Sequence, residues 1–84
     1  MGKNVKSSAK AIVYSTPTCP YCVLAKKFLK DLGVDYIDYN VAADHEKAKE
    51  MYEKSGQLGV PVLDINGKII IGFDKAAILR ALGK

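Results

Sequence analysis

Apolar and polar residues follow one another along this chain in blocks whose periodicity changes from strand-like to helix-like. The first block, Ala11-Ile12-Val13-Tyr14, is short and continuous, which is typical of a strand buried on both faces. From Pro20 to Leu32, apolar residues recur three and four positions apart, which predicts an amphipathic helix that Gly33 ends. The apolar stripe of this helix consists of Cys22, Ala25, Phe28, Leu29 and Leu32.

The next two blocks predict a second strand and a second helix. Val34 to Val41 alternates in a way that is typical of a strand near the edge of a sheet. Because a helix separates this strand from the first, the two strands should be parallel. Asp44 is suited to cap a helix that runs to about Ser55 and ends at Gly56. Its apolar side would consist of Ala48, Met51 and Tyr52.

The rest of the chain predicts two more strands and a last helix. A strand from Gly59 to Ile65 meets Asn66-Gly67, which favours a two-residue type I′ turn, and Lys68 to Ile71 returns antiparallel to it. Asp74 can cap the last helix, which Gly83 ends. The order βαβ followed by ββα predicts an α/β fold, with one four-stranded mixed sheet flanked by three helices. The packing side of the last helix would consist of Ala77, Ile78, Ala81 and Leu82.

The length of the chain predicts one domain, and most of its net positive charge lies near its start. The chain has 84 residues and a formal net charge of +4, which suits a single core. Lys3, Lys6 and Lys10 lie in the first ten residues, which contain no acidic residue, and without them the net charge is +1. We therefore interpret residues 1–9 as a flexible tail and residues 10–84 as the domain. The remaining residues do not form a basic face, so the sequence does not predict nucleic-acid binding.

Several function classes receive no support from the sequence. No apolar run approaches the ~18 residues that a membrane helix needs, and the first ten residues lack the apolar centre of a secretory signal. We therefore expect a cytoplasmic protein, in which paired cysteines are more often catalytic than structural. Lys26, Lys27 and Lys30 are expected to form a solvated helix face, and the alternative is that Lys26 and Lys27 add a positive field at the thiolate. His45, the only histidine, is expected to be exposed and to play no part as a general base.

The two cysteines lie where the first strand gives way to the first helix. If Pro20 is the first helical residue, where proline is favoured, Cys19 is the cap. Its thiol then faces free backbone N–H groups and the positive end of the helix dipole, which favour the reactive thiolate. Cys22 lies nearly one turn further along the same face and should be more buried and less reactive. This spacing suits redox chemistry, although two small core residues or half a metal site remain alternatives.

Three motifs in this order resemble those of glutaredoxins, in the thioredoxin superfamily. They are Cys19-Pro20-Tyr21-Cys22, Gly56-Gln57 followed by Val60-Pro61, and Gly72-Phe73-Asp74. The resemblance covers about residue 10 to the end and implies a thioredoxin-like fold. It also implies a dithiol oxidoreductase that reduces protein disulfides, glutathione mixed disulfides or both.

The resemblance assigns roles to the cysteines and to three neighbouring residues. Cys19 would attack the disulfide and Cys22 would resolve the mixed disulfide. Pro20 and Tyr21 would support the site from the start of the helix. Pro61 matches a proline that follows a cis peptide bond in the family, which would place the backbone beside Cys19.

The resemblance further implies that glutathione is a co-substrate and that no cofactor is bound. An incoming disulfide would pair with the main chain beside Pro61, like an added strand. The γ-glutamyl end of glutathione would meet the N–H groups at the start of the last helix, which suit a carboxylate. The residues that would bind substrate or glutathione are Thr16, Tyr21, Val60, Pro61, Gly72, Phe73 and Asp74.

Three positions depart from the glutathione-using pattern. Thr16 stands where many members have a lysine, Gly59 replaces the usual threonine, and Ile71 replaces a glycine. These departures make the chain similar to glutaredoxin-like redoxins of bacteria and archaea, some of which take electrons from thioredoxin reductase. The electron source is therefore left open between glutathione and thioredoxin reductase.

Partners and competing functions follow from the same comparison. The expected substrates are disulfide-containing proteins, with ribonucleotide reductase or methionine sulfoxide reductase as examples, and the expected state is a monomer. A dimeric zinc or iron–sulfur protein is a second class. A complete zinc site normally needs four ligands, and two cysteines from each of two chains could supply them. Proline after the first cysteine disfavours clusters in the family that the chain resembles, and no metal is expected. A redox-inactive interaction module is a third class.

Overall fold

The computed structural model describes residues 11–83, so the predicted tail, residues 1–9, lies outside the described range. Within that range the chain forms four strands and three helices, in the predicted order βαβ–ββα. They are β1 (Ala11–Ser15), α1 (Pro20–Asp31), β2 (Tyr36–Asn40), α2 (His45–Ser55), β3 (Val62–Ile65), β4 (Lys68–Ile71) and α3 (Lys75–Leu82).

The four strands form one mixed sheet in the order β2-β1-β3-β4. Strand β1 pairs in parallel with β2, with Ala11 opposite Tyr36, as the intervening helix predicted. It pairs antiparallel with β3, which in turn pairs antiparallel with β4 across the hairpin. Asn66 and Gly67 both have positive φ, 53° and 87°, as a type I′ turn requires. Strand β2 lies at an edge, as expected.

Strand β1 is buried on both faces, and its side chains enter two separate cores. Ala11 and Val13 face α1 and α3, whereas Ile12 and Tyr14 face α2. This alternation follows from the two-residue period of a strand, and it makes β1 the central element of the domain. The buried core on the first face also contains Ala25, Leu29, Val34, Leu63, Ile65, Ile70, Ile78 and Ala81.

Two strands are shorter than the sequence predicted. Strand β2 begins at Tyr36 because the N–H of Val34 donates to the carbonyl of Leu29, 3.0 Å away, and so belongs to the exit of α1. Strand β3 begins at Val62 rather than Gly59. Pro61 has no N–H to donate to a ladder, and this limits the strand at that end.

The helices begin and end close to their predicted bounds. Asp44 and Asp74 cap α2 and α3 with their side chains, and Gly56 and Gly83 follow these helices in left-handed conformation. The prediction that Tyr52 packs inward is wrong, because its side chain is 52% exposed. Among residues 11–83, no helix is long and apolar enough to cross a membrane.

A polar network joins α2 to the sheet. The hydroxyl of the fully buried Tyr14 donates to Glu50 and accepts from Lys54 Nζ, 2.9 Å away. Lys54 Nζ also lies 2.7 Å from Asp64 Oδ2 on β3. Burial and the hydrogen bond with Glu50 raise the pKa of Tyr14. One buried hydroxyl therefore links β1 to α2, and through Lys54 to β3.

We predict that Tyr14→Phe lowers the free energy of unfolding by about 1–2 kcal/mol, because it removes hydrogen bonds to charged groups. Urea denaturation measures this loss as a lower midpoint concentration, while the m-value should stay unchanged. Tyr52→Phe is the matched control, and its exposed hydroxyl should change stability by less than about 0.5 kcal/mol. Equal effects of the two substitutions would show that the network does not stabilise the fold.

Candidate active site

Helix α1 begins at the sulfur of Cys19. The backbone of Cys19 is extended (φ −97°, ψ 109°), and Pro20 is the first helical residue, as predicted. The N–H of Cys22 donates to Cys19 Sγ, 3.1 Å away. The sulfur thus takes the position that a serine or aspartate oxygen holds at other helix starts. Free N–H groups and the helix dipole favour negative charge at this place.

The two sulfur atoms have different surroundings. Both cysteines are free thiols, with Cys19 partly exposed and Cys22 fully buried. Burial, together with the hydrogen bond to Cys19, raises the pKa of Cys22 to about 11. A backbone hydrogen bond with Thr16 and the charge of Lys26 act in the opposite direction. At neutral pH, the site therefore combines an accessible sulfur with a buried, protonated thiol.

Three segments that the sequence singled out meet at this site. The carbonyl oxygen of Val60 lies 3.9 Å from Cys19 Sγ. The peptide bond between Val60 and Pro61 is cis, as the resemblance implied. The N–H of Gly72 donates to the carbonyl of Pro61, 2.9 Å away. One end of the sheet therefore carries the loop with Cys19, the loop with Val60 and Pro61, and Gly72, which precedes α3.

The loop before Val60 is held by a side chain. The amide of Gln57 donates to the carbonyl of Gly59 and accepts from its N–H, both at 2.9 Å. A Cβ added at Gly59 would lie 2.8 Å from Gln57 Oε1. A larger residue at position 59 would therefore require this flexible amide to shift. The amide of Gln57 also occupies the backbone groups of Gly59 that would extend β3.

The segment Gly72-Phe73-Asp74 makes contacts within the chain. Asp74 Oδ1 accepts from the N–H of Ala77, 3.1 Å away, so its carboxylate caps α3. The half-buried ring of Phe73 packs edge-on against Phe28, with centroids 5.8 Å apart. Any contact of these residues with glutathione would be made in addition to these structural roles.

An ion pair beside Cys22 was not foreseen in the sequence. Lys26 was expected on a solvated face, and this prediction is wrong: the lysine is half-buried, and its Nζ lies 2.8 Å from Asp38 Oδ2. Ser15 Oγ donates to the other oxygen of Asp38, 2.6 Å away. The sequence holds one local signal for the position of Lys26. It lies four residues after Cys22, which places both side chains on the same helix face.

The surface near Cys19 carries exposed side chains of the predicted site. Pro20 is exposed and Thr16 is half-buried. Tyr21 is 62% exposed, and His45 is exposed as expected. Among the described residues, no cluster of three or more histidine, cysteine or acidic side chains could hold a metal ion. Among residues 11–83, the other large apolar side chains that are exposed are Val23, Leu24, Ile37, Tyr52, Leu58 and Ile71.

The family model for glutaredoxin matches residues 11–70. The chain belongs to the glutaredoxin family. An uncharacterized glutaredoxin-like 8.6 kDa protein in the rubredoxin operon of Clostridium pasteurianum is 49% identical over 72 residues, covering 86% of this chain and 96% of that relative. Glutaredoxin 3 of Escherichia coli K12 is 35% identical over 75 residues, covering 89% of this chain and 90% of that protein.

The structural comparison agrees with the family. The crystal structure of the thioredoxin-like protein BC3987 matches with a TM-score of 0.80 and 29% identity, covering 86% of this chain and 99% of that one. The α/β fold with its four-stranded mixed sheet and three helices is therefore thioredoxin-like. Members of the glutaredoxin family are oxidoreductases, and the family and its relatives support a role in thiol–disulfide exchange.

We predict that the reduced protein loses stability as the pH rises from about 9 to about 11. An unfolded cysteine loses its proton near pH 8.5, whereas the folded protein keeps the proton on Cys22 until about pH 11. The unfolded state therefore binds fewer protons in this window, and stability falls by about 1.4 kcal/mol per pH unit. Below about pH 8.5, where Cys22 is protonated in both states, the stability of the folded state no longer depends on this group's titration and is at its full value.

Urea denaturation at pH 8, 9 and 10, with reductant present, measures the slope. Cys22→Ala is the control, because other groups such as Tyr14 titrate in both proteins. The wild type should show the steeper decline with pH. Parallel slopes would mean that Cys22 is not held protonated by its surroundings.

Proposed function

We propose that this chain is a dithiol–disulfide oxidoreductase that reduces protein disulfides and glutathione mixed disulfides. Cys19 is the attacking thiol, and Cys22 is the resolving thiol. The observation that supports this assignment most strongly is an accessible Cys19 sulfur at a helix start, paired with a second cysteine whose thiol is buried and whose backbone N–H donates to that sulfur.

The first step forms a mixed disulfide. The thiolate of Cys19 attacks one sulfur of the substrate, a bond forms between these two sulfurs, and the substrate S–S bond breaks. The second substrate sulfur leaves as a thiolate and takes a proton from water. The helix N-terminus stabilises charge on Cys19, both when it attacks and when it later leaves.

The second step releases the product. Cys22 loses its proton to solvent, and its thiolate attacks Cys19 Sγ. The bond between Cys19 and the substrate breaks, and the substrate sulfur departs with the electron pair. The chain is left with a disulfide between Cys19 and Cys22, which a reductant must convert back to two thiols.

The segment around Val60 supports substrate alignment. Its main chain lies beside Cys19, so an extended disulfide-containing segment can pair with it like an added strand. The carbonyl of Pro61 accepts from the N–H of Gly72, which anchors this backbone, and Pro20 and Tyr21 form the exposed surface on the helix side. Thr16 lies on the loop before Cys19, where its hydroxyl suits a polar group of the bound substrate.

Glutathione is the proposed co-substrate, and no cofactor is resident. The N–H groups at the start of α3 suit a carboxylate, so Gly72, Phe73 and Asp74 form the proposed γ-glutamyl subsite. The alternative is a dedicated electron donor that thioredoxin reductase reduces. Thr16 favours this alternative, because it supplies no cation to attract a second carboxylate.

Candidate substrates are cytoplasmic disulfide-containing proteins such as ribonucleotide reductase or methionine sulfoxide reductase, and the proposed state is a monomer.

We predict NADPH consumption with a small disulfide when glutathione and glutathione reductase are supplied. Cys19→Ser should lower this rate by at least about a thousandfold, because the nucleophile is lost. Cys22→Ser should keep activity on glutathione mixed disulfides and lose activity on protein disulfides, which require the second thiol. The assay follows absorbance of NADPH with each substrate.

A parallel assay with thioredoxin reductase distinguishes the electron sources. Activity in this system alone would reject glutathione as co-substrate and support the dedicated donor. Activity in neither system would contradict the proposed function. Full turnover of protein disulfides by Cys22→Ser would contradict the two-cysteine mechanism.

A further inference from the structure

The ion pair between Lys26 and Asp38 lies one helical turn from the thiol that the proposed mechanism must ionise, and the charge of Lys26 acts on that thiol. Lys26 follows Cys22 by four residues, so both side chains rise from the same face of α1, one turn apart. The stem of Lys26 is half-buried, with 24% of the side chain exposed. Lys27, the next residue, is 68% exposed and pairs with Asp31 on the helix surface.

The ammonium of Lys26 is held at a fixed place. Asp38 on β2 accepts from it at 2.8 Å, and this hydrogen bond is the main cause that raises the pKa of Lys26. The other oxygen of Asp38 accepts from the buried Ser15 at the end of β1. Two strands of the sheet thus fix one cation beside the buried thiol, and the cation stays charged at neutral pH.

The groups that act on Cys22 change when the mixed disulfide forms. In the reduced protein, burial, the hydrogen bond to Cys19 and the charge of Cys19 raise the pKa of Cys22, while Thr16 and Lys26 lower it. In the mixed disulfide, Cys19 carries no charge and no thiol proton. Burial then remains as the main obstacle to ionisation, and Lys26 is the charged side chain that opposes it.

We propose that Lys26, held by Asp38 and Ser15, is a positioning residue that stabilises the Cys22 thiolate in the mixed disulfide and thereby speeds the resolving step. This inference rests on the proposed function. The first attack should depend little on Lys26, because Cys19 lies at the helix cap about two turns from Lys26, whereas Cys22 lies one turn from it. No atom of Lys26 is transferred: the proton of Cys22 goes to solvent, and the leaving sulfur takes the electron pair.

The two steps can be observed separately with one molar equivalent of 5,5′-dithiobis(2-nitrobenzoate). Attack by Cys19 releases one coloured thiolate, and attack by Cys22 on the mixed disulfide releases the second. Stopped-flow absorbance therefore shows two phases whose rates belong to the two thiols. The pH dependence of the second phase reports the ionisation of Cys22.

In Lys26→Met, we expect the second phase at pH 7 to slow by about threefold to tenfold, because a neighbouring positive charge is lost and solvent screens part of its effect. The first phase should stay within about twofold. The second phase should also reach half of its maximal rate at higher pH. Lys26→Arg keeps the charge and should restore the rate and the pH midpoint. Lys27→Met, the matched surface control, should change neither phase.

Two results would overturn the inference. The first is a second phase in Lys26→Met that equals the wild type at every pH. The second is an equal slowing of both phases that Lys26→Arg does not restore, which would mean that the ion pair only docks α1 on the sheet. Absence of a second phase in the wild type would instead overturn the proposed two-cysteine function itself.

Discussion

The hydrogen bond from the N–H of Cys22 to the sulfur of Cys19 defines where α1 begins, and the site depends on that position. Because Pro20 occupies the first helical position, Cys19 is fixed as the cap and its sulfur stays at the surface. The helical repeat then directs Cys22 beneath the first turn, where it is fully buried. One local geometry thus produces two thiols of different accessibility.

The rest of the fold holds this geometry in place. Strand β1 is buried on both faces and delivers the cysteine loop at its carboxyl end, and the loop before Val62 brings the carbonyl of Val60 next to Cys19. Polar side chains secure each face of the sheet. Tyr14 is bonded to α2 on one face, and Ser15 reaches Asp38 and through it Lys26 of α1 on the other.

The order of elements and much of the site could be predicted because their signals are local. Asp44 and Asp74 lie immediately before helical patterns, and Asn66-Gly67 needs only its own backbone to make a turn. The burial difference between the cysteines also follows from a three-residue spacing. These features require no knowledge of distant contacts.

The features that could not be predicted are contacts between distant side chains or between a side chain and a backbone. The pairing of Lys26 with Asp38 depends on how α1 lies against β2, which no periodicity reports. The amide of Gln57 takes the backbone groups of Gly59 and so shortens β3, although the sequence there reads as a strand. Tyr52 fits a helical stripe, yet its side chain is exposed in the folded protein.

The division of labour between the two thiols is tested most directly by alkylation of the fully reduced protein with limiting iodoacetamide at pH 7.5, followed by peptide mass mapping. We expect Cys19 to be modified at least about a hundredfold faster than Cys22, because the thiolate is the reactive form and Cys22 is buried and protonated. In urea the two rates should converge. Comparable rates in the folded protein, or faster modification of Cys22, would contradict the account.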